Sequence, residues 1–309
     1  MVILITGGSG FLGQKLVRRF RQEKHIEVLA PRSTEMDLMD LNSVCRYLQR
    51  HEHVDGILHS AAYYGGIGIN MYQPADMFHI NSIMALNVWE AAARMKIKKV
   101  FSVGSACAYP GDVGEDLVEE NLEAGPCHES VEGYGMTKRI HLVCQRQYRK
   151  QHGIMGGQAI LTNLYGPHDD FTIYRSHVVG ALIARFIEAV QEDKPSVKCW
   201  GDGSPIREFM YVDDAADAIF LAYEKLAMGT INIGTGIGTT VKELTEKIVK
   251  LTGYKGEVVW DTEKPNGAAR KVLDVTKMRE ALKFEPKMKL LEGLHKTIQW
   301  YVYPTISED

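Results

Sequence analysis

The sequence has no long apolar run and no cluster of basic residues. None of its apolar segments reaches the roughly 18 residues that a membrane-spanning helix needs. The formal net charge is -3 and the charges are spread along the chain, so no surface for nucleic acid or an anionic membrane is indicated. The first residues, MVILITGGSG, contain neither a basic leader nor a cleavage site. We therefore expect a cytoplasmic protein without nucleic-acid or membrane partners.

The sequence also lacks the cysteine patterns of zinc cages and disulfide frameworks. Its five cysteines form no C-x-x-C pair and are odd in number, so we expect neither a metal site nor a disulfide. Four of them are interpreted as buried or incidental thiols, namely Cys45, Cys127, Cys144 and Cys199. The role of the fifth, Cys107, depends on the motif that contains it.

Short apolar runs rich in β-branched residues alternate with segments of helical period. The runs cover residues 2–6, 26–31, 55–62, 98–105 and 156–167. Helical period marks residues 80–95, 134–151, 178–191 and a segment from about 213. This alternation predicts an α/β fold with a doubly wound parallel sheet covered on both faces. After residue 165 glycine and proline become denser, and we expect a smaller second α/β domain packed against the first.

A glycine-rich turn follows the first apolar run. The segment TGGSGFLG places Gly7, Gly10 and Gly13 between a predicted strand and a predicted helix. Glycine permits a close backbone approach, and the helix N-terminus attracts a pyrophosphate, so a dinucleotide is expected here; the alternative is a purely structural turn. After the second run, Arg32 and Ser33 in APRST suit a 2′-phosphate and favour NADP over NAD, unless Arg32 is an ordinary surface cation.

Two further motifs carry groups that move protons. In EGYGMTK, Tyr134 and Lys138 lie four residues apart on one helix face, where a lysine ammonium lowers the pKa of a neighbouring phenol. That spacing alone is common in surface helices. In GSACAYP, Ser105 and Cys107 follow the run KKVFSV and are two residues apart. Alternate residues of an extended strand point the same way, so both are expected to face one cleft; otherwise Cys107 is a small buried hydrophobe.

Taken in order, TGGSGFLG, HSAA, GSACAYP and YGMTK resemble the extended short-chain dehydrogenase/reductase superfamily, whose members act on nucleotide sugars. Further segments, including PADMFHINSIMALNVWEAA, TNLYGPHDDF, CWGDGSPIREFMYVDD and YKGEVVWDTEKPNGAARKVLD, are similar to the GDP-L-fucose synthase family over nearly the whole chain. The resemblance implies an NADPH-dependent enzyme that converts GDP-4-keto-6-deoxy-D-mannose to GDP-L-fucose by epimerisation at two carbons followed by reduction.

The resemblance also implies a role for each catalytic position. Cys107 removes protons from the carbons beside the ketone, and His177 in YRSHVVG returns them from the opposite face. Tyr134 then protonates the oxygen at carbon 4 during reduction. Ser105 donates a hydrogen bond to that oxygen, and Lys138 holds the cofactor ribose and the phenol.

The matched binding positions form two sets. The expected cofactor contacts are Gly7, Gly10, Phe11, Leu12, Gly13, Arg32, Asp37, Leu38, Ala61, Ala62, Tyr134, Lys138, Asn163, Leu164 and His177. The expected substrate contacts are Ser105, Ala106, Cys107, Asn163, Trp200, Arg207 and Lys271. A guanidinium at Arg207 holds two phosphate oxygens in a planar fork. Trp200, Lys271 and Asn163 also fit a core aromatic residue, an exposed cation and a turn residue.

The resemblance assigns residues 1–164 with about 206–228 to a dinucleotide-binding domain, and 165–205 with about 229–309 to a nucleotide-sugar-binding domain. It further implies a homodimer in which the helices near 80–95 and 134–151 of each subunit form a four-helix interface. Both helices are more apolar than one solvated face requires.

Three departures leave the identity of the sugar open. Tyr63 and Tyr64 replace a Lys-Val or Met-Val pair, SAC replaces SSC, and KPNG replaces KPDG. One alternative is a reductase or epimerase of another GDP-keto-sugar, such as a dideoxyhexose or deoxyheptose. A second is a redox-neutral, NAD-dependent nucleotide-sugar epimerase. The third is a catalytically silent dinucleotide sensor, against which the intact Ser105, Tyr134 and Lys138 argue.

Overall fold

Strands and helices alternate along most of the chain. The computed structural model describes residues 1–51, 53–111, 113–114, 116–172, 175–264 and 266–304. The strands are β1 (Val2–Thr6), β2 (Glu27–Leu29), β3 (Val54–His59), β4 (Lys99–Val103), β5 (Met155–Leu161), β6 (Asn163–Tyr165), β7 (Ser196–Trp200), β8 (Ile206–Tyr211), β9 (Gly229–Ile233), β10 (Gly238–Thr240), β11 (Glu257–Asp261) and β12 (Arg270–Lys271). The helices are α1 (Phe11–Arg21), α2 (Leu41–Arg50), α3 (Ile67–Tyr72), α4 (Pro74–Arg94), α5 (Glu132–His152), α6 (Val178–Gln191), α7 (Val212–Lys225), α8 (Val241–Thr252), α9 (Thr276–Leu282) and α10 (Leu290–Val302).

A six-stranded parallel sheet forms the larger part of the fold. Its order is β2-β1-β3-β4-β5-β9, with α1, α7 and α9 on one face and α2, α4 and α5 on the other. Apolar side chains on both faces of the central strands are fully buried, as the continuous apolar runs require. The predicted doubly wound α/β fold is confirmed. No helix in the described residues is both long and apolar enough to cross a membrane.

A smaller α/β unit lies at the carboxyl edge of this sheet. Strands β6, β10 and β12 all pair with β8, β7 pairs with β11, and α6, α8 and α10 share a separate apolar core with them. The predicted run 156–167 is split between the two sheets, because β5 ends at Leu161 and β6 begins at Asn163.

Sheet membership differs from the predicted domain division at two strands. We assigned 206–211 to the cofactor domain and 229–233 to the sugar domain, but β8 lies in the smaller unit and β9 completes the large sheet beside β5. Helix α7 explains why the two strands belong to different sheets. It follows β8, packs against α1 and brings the chain back to the edge of the large sheet, where β9 runs parallel to β5. The remainder of the division stays a prediction.

The carboxylate of Glu208 joins three segments of the smaller unit to the edge of the large sheet. This side chain is fully buried in β8. Its Oε1 accepts from the backbone N–H groups of Thr235 and Gly236, the latter at 2.9 Å, and its Oε2 accepts from the N–H of Leu273 at 2.8 Å. The backbone carbonyl of Glu208 accepts from the Thr162 hydroxyl at 2.9 Å. One residue therefore fixes the chain on both sides of β8.

Replacing Glu208 by Gln should destabilise the fold. Both oxygens face backbone donors, so whichever becomes the amide nitrogen meets an N–H group and leaves it unsatisfied. We expect the free energy of unfolding, measured by urea denaturation, to fall by about 1–3 kcal/mol. The matched control is Glu246→Gln, at an exposed position of α8 that should leave stability unchanged. Equal midpoints for the two variants would contradict the role given to Glu208.

Candidate functional site

The glycine turn joins β1 to α1 as predicted. Gly7 adopts a φ of +69°, and a Cβ there would lie 2.7 Å from the Cα of Ala61. A Cβ on Gly13 would lie 1.9 Å from the carbonyl oxygen of Gly7, so only glycine lets α1 approach the turn. The N-cap of α1 is Gly10, and no side chain caps the helix. This leaves a glycine cradle and the N–H groups of Phe11, Leu12 and Gly13 for a pyrophosphate, so the chain fits a dinucleotide here.

The segment after β2 carries the predicted adenosine-side residues. Arg32 is exposed, and its backbone N–H donates to the carboxylate of Glu35 at 2.8 Å, which fixes the loop. Asp37 is exposed and Leu38 is half-buried, with the Leu38 carbonyl accepting from the amide of Asn87 at 2.8 Å. The guanidinium of Arg32 is therefore accessible to a 2′-phosphate.

The end of β3 approaches the glycine turn from the neighbouring strand. The hydroxyl of Thr6 accepts from the N–H of Ala61 at 3.2 Å and lies 2.8 Å from the Nδ1 of His59. Ala61 and Ala62 are both half-buried beside the turn. The cofactor positions of β1, α1 and β3 are thus held together by backbone and hydroxyl contacts.

Ser105 and Cys107 do not follow each other along an extended strand, so that part of the prediction is wrong. Strand β4 ends at Val103, and residues 106–108 form one turn of 3₁₀ helix capped by Ser105, whose Oγ accepts from the N–H of Cys107 at 3.2 Å. A serine at this position competes with strand hydrogen bonding and starts the turn. Both residues are half-buried, whereas Ala106 between them is buried. The other four cysteines are buried, as predicted.

Helix α5 presses Tyr134 and Lys138 against that turn. Lys138 is buried, its Nζ donates to the Val103 carbonyl at 3.2 Å, and it lies 5.2 Å from the centroid of the Tyr134 ring. The approach depends on Gly135, since a Cβ there would lie 2.3 Å from the carbonyl oxygen of Cys107. Sequence reasoning missed Gly135, although it stands inside the YGMTK motif.

Burial, rather than Lys138, controls the protonation of Tyr134. Desolvation raises the pKa of Tyr134 above its ordinary value, and the nearby Cys107 and Tyr64 raise it further. This differs from the expected lowering by lysine. Desolvation lowers the pKa of Lys138 to about 8, while Cys107 opposes that shift. The phenol is therefore protonated near neutral pH and is ready to donate.

Two buried histidines lie beside Lys138 and were also missed. The indole N–H of Trp89 donates to the Nδ1 of His141 at 3.2 Å, and the rings of His59 and His141 are 5.3 Å apart. Burial and the charge of Lys138 lower the pKa of His59 to about 3 and also lower that of His141. Both imidazoles are neutral, so they support the lysine without adding charge. HSAA contained His59, but nothing in the sequence paired it with His141.

His177 enters the site from the smaller unit. It is the residue before α6, and its imidazole stacks on the ring of Tyr64 with 5.9 Å between centroids and 13° between planes. Burial lowers the pKa of His177, and the carboxylate of Asp170 opposes that shift. Tyr64 is therefore a neighbour of His177 and, as its effect on the pKa of Tyr134 shows, also of that phenol.

Two cations of the smaller unit lie on neighbouring strands, and one of them is close to Cys107. Arg207 and Lys271 are register partners on β8 and β12. Burial lowers the pKa of Arg207, and the nearby Cys107 opposes the shift. The Arg207 guanidinium donates to the carbonyl of Asn266 at 3.3 Å. A negative charge on the Cys107 sulfur would thus lie near both Lys138 and Arg207.

The remaining predicted positions have other surroundings. The side-chain amide of Asn163 donates to the Glu208 carbonyl at 2.9 Å, which is a structural contact, and Leu164 is half-buried in β6. Trp200 ends β7 with 42% of its surface exposed, and the Nζ of Lys264 lies 5.8 Å from its ring centroid. The structure thus shows Trp200 as an exposed aromatic residue with a cation near its ring, and not as a core aromatic residue.

A buried carboxyl behind Tyr64 should make stability depend on pH. Burial raises the pKa of Asp169 from 3.8 to about 7, and its Oδ2 has no hydrogen-bond partner among the described residues. Since the folded state holds this proton more tightly than the unfolded state, the contribution of Asp169 to stability is lost as pH rises from about 4 to 7.

Asp169→Asn removes the titration, so the stability of the variant relative to wild type should increase as pH rises from about 4 to 7. Urea denaturation at each pH measures the difference. The exposed Asp193→Asn is the control, for which the difference from wild type should stay constant. A constant difference for Asp169→Asn as well would contradict the buried, proton-binding carboxyl.

Comparison with known proteins agrees with this arrangement. The sequence profile of the NAD dependent epimerase/dehydratase family matches residues 3–234. The chain is 34% identical to GDP-L-fucose synthase of Escherichia coli (strain K12), covering 97% of this chain and 96% of the relative. It is 34% identical to GDP-L-colitose synthase of Yersinia pseudotuberculosis, covering 98% of each. A solved GDP-mannoheptose C4 reductase from Campylobacter jejuni, with NADP bound, is 26% identical with a TM-score of 0.84, covering 97% of this chain and 98% of that one. The chain therefore belongs to the NAD dependent epimerase/dehydratase family.

Proposed function

We propose that this protein is an NADP-dependent epimerase/reductase of a GDP-4-keto-6-deoxyhexose and forms GDP-L-fucose or a close analogue. The observation that carries the proposal is the convergence of a half-buried thiol, a protonated phenol, a buried lysine and a histidine beside one glycine cradle. Relatives named as GDP-L-fucose synthase and GDP-L-colitose synthase support the nucleotide-sugar substrate.

The epimerisation half-reaction uses the thiol and the imidazole. The ketone acidifies the protons on carbons 3 and 5, and Cys107 as thiolate removes one, with Lys138 and Arg207 nearby to stabilise its charge. His177 returns a proton from the opposite face as imidazolium, a form that burial disfavours and that the carboxylate of Asp170 partly restores. The thiol then loses its proton and the imidazole regains one, which resets the site for the next carbon.

The reduction half-reaction uses the phenol. NADPH, when bound, supplies the hydride for carbon 4. Tyr134, which burial keeps protonated, donates its proton to the oxygen at carbon 4. Ser105 caps the neighbouring turn at a position where its hydroxyl can also donate to that oxygen. The Glu208 contacts hold Arg207 in β8, where its guanidinium is placed to bind the substrate pyrophosphate.

Arg32 and the glycine turn support NADP as the cofactor. The turn provides a cradle for the pyrophosphate, and an exposed guanidinium follows β2, where a 2′-phosphate is recognised in this type of fold. The similar mannoheptose reductase was solved with NADP bound. Tyr64 favours one alternative substrate class, another GDP-keto-sugar, because it adds an aromatic ring and a hydroxyl to the site.

Two substitutions should separate the half-reactions. Tyr134→Phe should lower NADPH consumption on the keto-sugar by about 100-fold, the usual scale for losing a positioned proton donor. It should keep deuterium uptake from deuterated water at carbons 3 and 5, because Cys107 and His177 are unchanged. Cys107→Ser should take up far less deuterium at carbons 3 and 5, and should still consume NADPH slowly to give a product that is not inverted. Nicotinamide absorbance and NMR of the product measure the two outcomes.

An unchanged midpoint of urea denaturation in both variants is the control for correct folding. Near-normal reduction by Tyr134→Phe would show that another group donates the proton. Full deuterium uptake by Cys107→Ser would show that Cys107 contributes only to packing. If wild-type protein consumes no NADPH with any GDP- or UDP-keto-sugar, the reductase assignment is wrong. Tightly retained NAD would instead indicate the redox-neutral epimerase.

The protein is further proposed to be a homodimer through α4 and α5. These helices pack side by side and expose apolar side chains at spacings of eight and seven residues. The exposed fractions are 46% for Phe78 and 44% for Leu86 on α4, and 39% for Met136 and 45% for Val143 on α5. The spacing places each pair on one helix face, as in a four-helix interface.

Val143→Glu should convert the dimer to a monomer, because it places a charge in an apolar interface. Light scattering at micromolar concentration measures the mass. The matched control is Val190→Glu on α6, an equally exposed apolar residue at 43% that lies outside the two helices. A dimer in both variants, or a monomeric wild type, would contradict the interface.

A further inference from the structure

Tyr64 occupies the centre of the site although none of the proposed chemical steps uses it. Its ring stacks on His177 with centroids 5.9 Å apart, and its charge is close enough to Tyr134 to raise the pKa of that phenol. In the proposed mechanism Tyr134 acts on the ketone oxygen and His177 on the neighbouring carbons, so a residue that neighbours both is expected beside a carbon next to the ketone.

The backbone around Tyr64 is fixed from two directions. Asn81 accepts from the N–H of Tyr63 at 2.9 Å and donates to its carbonyl at 2.8 Å. On the other side, the N–H of Gly66 donates to the carbonyl of Arg175 at 3.0 Å. A Cβ on Gly66 would lie 2.4 Å from the carbonyl oxygen of Ser176, so the loop packs directly against the segment before His177. The position of the phenol is therefore set before a substrate binds.

The hydroxyl of Tyr64 is available as a donor. Among the described residues, the structure shows no hydrogen bond to it. Burial, together with the carboxylates of Asp169 and Asp170, raises the pKa of Tyr64 to about 12, so the phenol keeps its proton across the physiological range. The side chain is half-buried, so its hydroxyl is free to donate to a group bound in the cleft.

The chemistry of the sugar identifies that partner. Of the two carbons beside the ketone in a 4-keto-6-deoxyhexose, carbon 5 carries a methyl group and the ring oxygen, and carbon 3 carries a hydroxyl. The ring oxygen is an acetal oxygen and a weak acceptor, so the hydroxyl on carbon 3 is the stronger acceptor for the phenol. We propose, resting on the function proposed above, that Tyr64 donates a hydrogen bond to the 3-hydroxyl of the bound keto-sugar and thereby selects sugars that carry this hydroxyl.

The test compares two substrates in two variants. Tyr64→Phe removes the hydroxyl and keeps the ring that stacks on His177. Its kcat/KM should fall about 10-fold with a GDP-4-keto-6-deoxyhexose, and should stay within about twofold of wild type with the 3-deoxy counterpart. Tyr63→Phe is the matched control, because the Tyr63 hydroxyl donates to Gln73 at 2.6 Å away from His177. That variant should match wild type on both sugars.

Equal losses on both sugars would mean that Tyr64 acts only through packing, and no loss on either would mean that its hydroxyl contacts no sugar. Calorimetric binding of GDP-mannose and GDP-3-deoxymannose separates these results from a failure of the proposed function. Wild type could consume no NADPH and still bind GDP-mannose more tightly than GDP-3-deoxymannose. If Tyr64→Phe then binds both sugars equally, the proposed reductase function is wrong and the role given to Tyr64 is supported. Equal binding of both sugars by wild type overturns the assignment.

Discussion

The buried carboxylate of Glu208 is the contact on which the substrate side of the site depends. Hydrogen bonds to three backbone N–H groups connect β8 with the 235–236 turn and with the segment after β12. Arg207 precedes Glu208 in β8, and Lys271 lies beside Arg207 on β12, so both cations take their positions from this set of bonds. The carbonyl of Glu208 also anchors Thr162 and Asn163, where the chain passes from the large sheet to the small one.

Burial shapes the rest of the site by favouring uncharged groups. It keeps the protons on Tyr64 and Tyr134 and lowers the pKa of His177. The same effect lowers the pKa of Lys138 to about 8, so the ammonium is still mostly charged at neutral pH but loses its proton just above it. An enolate formed here would meet few competing anions and two cations, Lys138 and Arg207. A water-poor cleft of this kind strengthens each of those interactions.

Local pattern predicted most of the fold, and three-dimensional packing decided what was missed. The run 2–6 and the glycine turn were predicted correctly because apolar β-branched residues and glycine act over a few neighbours. The prediction of an extended strand through Ser105 and Cys107 was wrong, because the Ser105 side chain caps a turn and the strand ends before it. Glu208 and the His59–His141 pair were missed, since their partners are distant in sequence. Tyr64 was noticed as a departure, but only the structure shows its contact with His177.

The close approach of Gly135 to the Cys107 carbonyl makes the evolution of helix α5 depend on that of the 105–108 turn. A side chain at position 135 would collide with backbone rather than with a movable group, so it requires the 105–108 turn to shift as well. A substitution at position 135 is therefore tolerated only together with a shift of that turn, whereas the turn can change while Gly135 is kept. A descendant of this protein that remodels the thiol turn for a new sugar must keep the glycine in α5 or rebuild that helix at the same time.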